Sequence, residues 1–297
     1  MVSEFAALGV EVLCAGVELA EEEPLSARSI NMTVMLLGAI LEGAVERELI
    51  SRNPARGRGR RVCEHAPRRS YLEIAAQIEA LLAAAGELDR EARADHRHVE
   101  RQAMLATLTF AGLRIGELCA LRWRDVDLVA GWLRVGESKT DAGRRHVKLR
   151  GALARELRAV RARQADAPAD GYVFATSTGG QPSDDNIRSR VLKAAVNRAN
   201  MNLAKTKLAP LPVGLTPHSL RRTFASVLYA LGEDPGVVMD EMGHTDPGLA
   251  LRVYRQAMRR SEDEKAALRA LVDGSETAEI GRWPTDGPFG PANRGDA

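Results

Sequence analysis

The chain has 297 residues, enough for one large domain or two smaller ones, and its apolar fraction of 45% allows a sizeable buried core. Its net charge is only +2, so global charge does not announce a nucleic-acid partner, and any basic surface must come from local clustering. Cys14, Cys63 and Cys119 lack metal-ligand spacing and read as reduced thiols of a cytosolic protein; no basic n-region opens a signal peptide, and no uninterrupted apolar run of ~18 residues marks a membrane span.

Residues 1–23 are rich in Ala, Val, Leu and Glu and suggest a short helix. From Ser26 to Leu49 the apolar residues Ile30, Val34, Leu37, Ile40, Leu41 and Ala44 recur at helical spacing, and Asn53-Pro54 closes the segment. Arg52 to Arg69 carries seven arginines against the single acid Glu64. It reads either as a solvated linker or as a strap along a nucleic-acid backbone, and the two are compatible. Helices are expected over Tyr71–Ala85, Val99–Thr109 and Ile115–Trp123, with a polar loop containing some helix from Gly86 to His98. Trp132–Val135 and Arg145–Leu149 alternate as strands around a turn at Ser138–Gly143. A helix follows over Gly151–Gln164, then a short strand at Tyr172–Thr176 and a helix from Asp184 to Asn202 bearing Arg188, Arg190, Lys193 and Arg198. Residues 200–207 are expected as an irregular basic loop. Further helices fall over Arg222–Leu231, Val237–Met242, Gly248–Met258 and Ser261–Val272; Asp273 to Ala297 has the composition of a disordered tail.

The densest chemistry lies at Thr216-Pro217-His218-Ser219-Leu220-Arg221-Arg222. Thr216 suits an N-cap and Pro217 the first helical position, so His218 and Arg221, three apart, share a face at a helix N-terminus. The free amides and the dipole there favour an anion. Upstream stands Arg114-Ile115-Gly116-Glu117; downstream Gly243-His244 precedes Tyr254 by ten residues from the histidine. Alone, Arg114 and Glu117 fit a surface ion pair and Lys139 an exposed turn lysine. Together, Arg, His-x-x-Arg, Gly-His and Tyr in that order compose a phosphoryl-transfer site with a tyrosine nucleophile. The arginine excess over lysine, 36 to 6, is explained first by a GC-rich genome, although guanidinium also forks onto phosphate oxygens.

At these residues the sequence resembles the tyrosine recombinases, or phage integrase family, closely from about Leu72 to Arg260 and more weakly from Leu25 to Gly59. The resemblance implies a mainly α fold with a small β hairpin or sheet (α+β): a catalytic domain over 72–262, a basic linker over 60–71, and over 1–59 a truncated helical core-binding domain. A C-terminal helix and tail would occupy 263–297. It implies Arg114, Lys139, His218, Arg221 and His244 as catalytic residues, Tyr254 as the nucleophile, and Glu117 as a group that orients Arg114 or a neighbouring backbone. Lys139 would be the hairpin lysine that protonates the leaving 5′-oxygen. Arg144, Arg145, Arg222, Arg58, Arg60 and Arg61 are the expected DNA contacts.

The activity so implied is site-specific recombination of double-stranded DNA through a 3′-phosphotyrosyl link, by a homotetramer on paired sites. Accessory DNA-bending or directionality factors would assist it at the nucleoid in the cytoplasm. The covalent link conserves bond energy, so no cofactor, metal or ATP is expected, and no membrane partner. The alternatives are a DNA-binding remnant impaired in catalysis or assembly, and relaxation of supercoils by the same chemistry. Of the four tyrosines, only Tyr254 follows the Gly-His motif.

Overall fold

A computed structural model describes residues 25–57, 61–63, 70–93, 99–136, 145–243, 254 and 257–274. The chain divides into two compact units, Met1–Arg68 and Arg69–Ala297.

In the first unit, helix α1 (Ala27–Glu46) starts at Ser26, whose hydroxyl accepts the Ser29 amide at 3.1 Å. Asn53 ties off the segment by donating to the Gly38 carbonyl and to Glu42, both at 2.7 Å. No residue of α1 is buried, and Met32, Met35, Leu36 and Ile40 are more than half exposed. By length and composition alone α1 is long and apolar enough to cross a membrane.

In the second unit the helices are α2 (Ala75–Arg90), α3 (Arg101–Phe110), α4 (Ile115–Ala120), α5 (Gly151–Arg163), α6 (Lys193–Lys205), α7 (Pro217–Ala230), α8 (Pro235–Met242) and α9 (Glu262–Asp273). The centre is α3, buried from Ala103 to Phe110, which packs against α2, α5 and α7. Helix α7 is nearly as enclosed: Phe224, Leu228 and Tyr229 are almost wholly removed from solvent. Helix α9 lies against α5, α2 and α7, burying Leu268 and Val272. Its last turn approaches the start of α5 so closely that a Cβ on Gly151 would stand 2.2 Å from the Asp273 carbonyl oxygen.

Three antiparallel strands form one sheet in the order β1 (Val126–Asp127), β2 (Trp132–Val135), β3 (Arg145–Lys148). Leu133 pairs with Val147 and Val135 with Arg145, and these four face inward while Trp132, Arg134, His146 and Lys148 face out. The alternation of strand side chains thus sends a charged residue, Arg145, into the interior.

Several local expectations are corrected. Helix α2 begins at Ala75 and runs through Gly86 to Arg90, because an alanine-rich stretch with buried Ala84 and Ala85 sustains it. Helix α4 stops at Ala120, and Trp123–Asp125 form a separate 3-10 turn. Tyr172–Thr176 is no strand: only Tyr172 bridges to Arg122, since no neighbouring strand offers a ladder. The Asp184 helix contains a π-helical segment at Ile187–Leu192 and continues as α6 to Lys205, replacing the expected loop; Asn200 accepts the Leu211 amide at 2.8 Å and folds the chain back along it.

Candidate active site

The site is built where the N-termini of α4 and α7 meet the C-terminus of α8. Thr216 caps α7: its hydroxyl accepts the Ser219 amide at 3.2 Å, the Ser219 hydroxyl accepts the Thr216 amide at 3.1 Å, and Pro217 opens the helix. Arg221 comes three residues after His218, on the same face. His218 is exposed and Arg221 is 1% exposed, yet both line one cavity of about 500 Å³, together with Arg114 and Arg188. The positive end of the α7 dipole adds to the attraction for an anion there.

Arg114 is the N-cap of α4, with extended backbone. Glu117, one turn on, accepts the Arg114 amide at 2.7 Å and its guanidinium at 2.8 Å. The other arm of Arg114 donates to the Gly243 carbonyl at 3.1 Å. Glu117 is also gripped from β3: the two terminal nitrogens of Arg145 donate to its two oxygens at 3.0 and 2.8 Å. Burial opposes the charge on Glu117, but the bonds and charge of Arg145, and then of Arg114, prevail and hold its pKa at about 2.

Arg221 donates to the carbonyls of Gly112 and Met242. The Gly112 carbonyl can stand there because residue 112 has φ of +59° and a Cβ on it would meet the Phe224 ring at 2.3 Å; only glycine fits both demands. Burial first, then the charges of Arg114 and Arg145, drive the pKa of Arg221 down to about 9. Three guanidiniums therefore surround a single carboxylate, and the most deeply buried of them bonds to carbonyls. Such a cluster is short of negative charge, and an anion in the cavity would supply it.

Helix α8 is fixed at both ends. Asp234 caps its start through the Gly236 amide at 2.7 Å, and Gly243 ends it in the left-handed region at φ 58°. Arg150 holds the Glu241 side chain with bonds of 3.0 and 3.2 Å and lies 5.5 Å over the Phe224 ring.

Tyr254 is half-buried in a helical turn, its ring edge-on to Tyr229 of α7 at 5.5 Å between centroids. It is not among the residues lining the cavity that holds Arg114, His218 and Arg221. Lys139, Arg144, His244, Arg58 and Arg60 lie outside the described residues. Arg61 is exposed in the first unit, and Arg222 is half-buried on α7. Arg145, expected as a DNA contact, is corrected: its side chain is 4% exposed and committed to Glu117. The sequence carried the signal, because Arg145 is in phase with Val147 and Leu149 on the inward face. Arg188 is one of four basic residues on its helix among which the sequence does not choose, and sequence reasoning misses the Arg150–Glu241 pair; nothing in local spacing joins residues 91 positions apart. Among the described residues no group of three or more His, Cys, Asp or Glu is gathered as a metal would need.

Residues 74–260 match the family model described as the phage integrase family. The chain belongs to that family, the tyrosine recombinases. Among curated members it is 31% identical over 178 residues to the tyrosine recombinase XerC of Xanthomonas axonopodis pv. citri (strain 306), covering 56% of this chain and 53% of that protein. It is 35% identical over 147 residues to XerC of Azotobacter vinelandii, covering 49% and 44%. The chain thus spans about half the length of the curated family members it matches. Among solved structures, the Tn1549 transposon integrase in complex with transposon right end DNA superposes with a TM-score of 0.63 at 21% identity, over 84% of this chain and 81% of that one. A lambda integrase dimer bound to a core site gives 0.54 at 19%, over 81% and 67%. These likenesses establish that the second unit has the fold of this family: mostly helical, with one small sheet.

Proposed function

We propose that this member of the tyrosine recombinase family cuts and rejoins double-stranded DNA at specific sites through a covalent link to Tyr254. The observation that carries the reading is the single cavity lined by Arg114, His218 and Arg221, in which guanidinium charge exceeds carboxylate charge.

A phosphodiester is anionic and repels nucleophiles, so its transfer gains from positioning and from charge already arranged for the transition state. In this reading Arg114 and Arg221 bear on the two non-bridging oxygens, and His218 donates to one of them or takes the phenol proton. A tyrosine hydroxyl is a weak nucleophile until a base takes its proton, so the phenol of Tyr254 gives up its proton as it attacks. The Tyr254 oxygen attacks phosphorus, the bond to the 5′-oxygen breaks, and Lys139 delivers a proton to that oxygen. His244 stabilises the same phosphoryl group. Attack by a second 5′-hydroxyl reverses the step and joins a new strand, so the phosphotyrosyl bond stores what rejoining needs.

The partner is then double-stranded DNA carrying recombination sites, engaged by four copies of the chain, with accessory bending or directionality factors, at the nucleoid. The first unit and the arginines from Arg52 to Arg69 would supply further backbone contacts. The test is a nicked suicide duplex that carries the candidate attachment site, incubated with the wild type and with Tyr254→Phe and resolved on a denaturing gel. A covalent adduct with wild type alone is expected. An adduct that persists in Tyr254→Phe overturns the nucleophile, and DNA binding without any adduct favours a binding remnant of the family.

A further inference from the structure

The last turn of α8 is held in an unusual way. The final carbonyls of a helix have no partner within it and carry the negative end of its dipole. Here three successive carbonyls each receive a guanidinium from a different element. Glu241 accepts from Nε of Arg145 on β3 at 2.6 Å, Met242 from Arg221 on α7, and Gly243 from Arg114 at the head of α4 at 3.1 Å. Two of those arginines line the cavity; the third, Arg145, does not.

Arg145 nevertheless touches one of the two groups that fix Arg114 and the helix end that carries the other. Its fork closes on the Glu117 carboxylate that Arg114 also uses, and its Nε holds the carbonyl two residues before the one that Arg114 uses. With a side chain 4% exposed it is removed from solvent and from any docked duplex. It also answers the charge of Glu117, which leaves Arg114 and Arg221 to offer their charge to a phosphate. The residue that follows Gly243 is His244, and Arg145 follows Lys139 by six positions in the sequence.

We propose that Arg145 is a positioning residue of the strand-transfer site. By binding Glu117 and the Glu241 carbonyl together, it sets the placement of Arg114 against the C-terminal turn of α8. The proposal rests on the strand-transfer reading above for its kinetic test, and on anion binding alone for a second one. A lysine cannot replace it, because one ammonium cannot make a planar fork to a carboxylate and a third bond to a carbonyl.

The experiment is a double-mutant cycle at saturating suicide duplex, with wild type, Arg145→Lys, Arg114→Gln and the double variant. Single-turnover cleavage and duplex Kd are measured for each. Arg145→Lys is expected to slow cleavage about 100-fold, the scale of a small misplacement at a reacting centre, with Kd unchanged. In the Arg114→Gln background the same change is expected to cost less than about 3-fold, because its route through Arg114 is already gone. Equal losses in both backgrounds overturn the proposal, as does a weakened Kd with an intact saturated rate, which would make Arg145 a duplex contact. The second measurement needs no activity: sulfate is titrated while the melting temperature is followed. Wild type is expected to be stabilised, and Arg145→Lys to lose most of that response, as Arg114→Gln does. If wild type gives no covalent adduct, the strand-transfer reading fails while the sulfate response still decides the placement of Arg114. A full sulfate response in Arg145→Lys overturns the positioning role.

Discussion

Two helix ends of opposite polarity face the same cluster of arginines. At the start of α7 the capping box of Thr216 and Ser219 satisfies local groups and leaves a positive end toward the cavity, beside His218 and Arg221. At the end of α8 three carbonyls form a negative end, and each is answered by a guanidinium. The first end attracts an anion; the second fixes the cations that will meet it. The arginines are thus anchored without a bound anion, which in the proposed reaction would spare reorganisation.

The contrast can be broken most severely at Arg221, which belongs to both ends. Arg221→Gln is expected to lower single-turnover cleavage of a suicide duplex by about 10²–10³-fold, the usual cost of removing one preorganised donor. A rate within 3-fold of wild type, estimated from the scatter expected of an uninvolved site, would remove Arg221 from the chemistry.

A smaller effect sharpens the α8 side. Glu117 has its pKa held at about 2, below its ordinary 4.5. A carboxyl whose folded value is depressed contributes stability that is complete above about 4.5 and is lost as the pH falls toward 2. Thermal unfolding from pH 6 down to 2.5 is therefore expected to show a steep decline in wild type. Glu117→Gln is expected to start lower and decline less. Parallel curves would mean that Glu117 does not carry the ionic bond in solution.

The smallest change tests the end of α8 alone. Gly243→Ala places a side chain at φ 58° and is expected to cost about 1–2 kcal/mol of unfolding free energy by urea denaturation. An unchanged midpoint would show that this turn is not held in the left-handed conformation.

Much of this arrangement is legible in the sequence where the rule is local. Thr216-Pro217 announces the start of α7, Gly243 its αL stop after α8, and the alternation of Trp132–Val135 and Arg145–Lys148 the two paired strands. Where the deciding partner is distant, the sequence says less. Tyr172–Thr176 has strand composition, but a strand needs a neighbour, and Tyr172 meets only Arg122. Arg145 reads as a surface charge until its phase with Val147 is weighed above its polarity. The service it renders to Glu117 then follows from a contact across 28 residues that no spacing rule records. Arg150 and Glu241 are the same lesson at greater separation.

The π-helical turn at Ile187–Leu192 has a consequence of its own. Such a turn holds one residue more than an ordinary helical turn and acts as a phase shifter between the segments on either side. It lets Ile187, Val191 and Leu192 stay in the core while Arg188 reaches the cavity lined by Arg114, His218 and Arg221. Deleting a single residue there would restore a regular helix and leave the two sides in phase, whereas the same deletion in a regular helix rotates one side against the other by about 100°. The apolar stripe of α6 and the residues before the π turn would keep their faces, so this stretch of chain can lose one residue where the regular helices around it cannot.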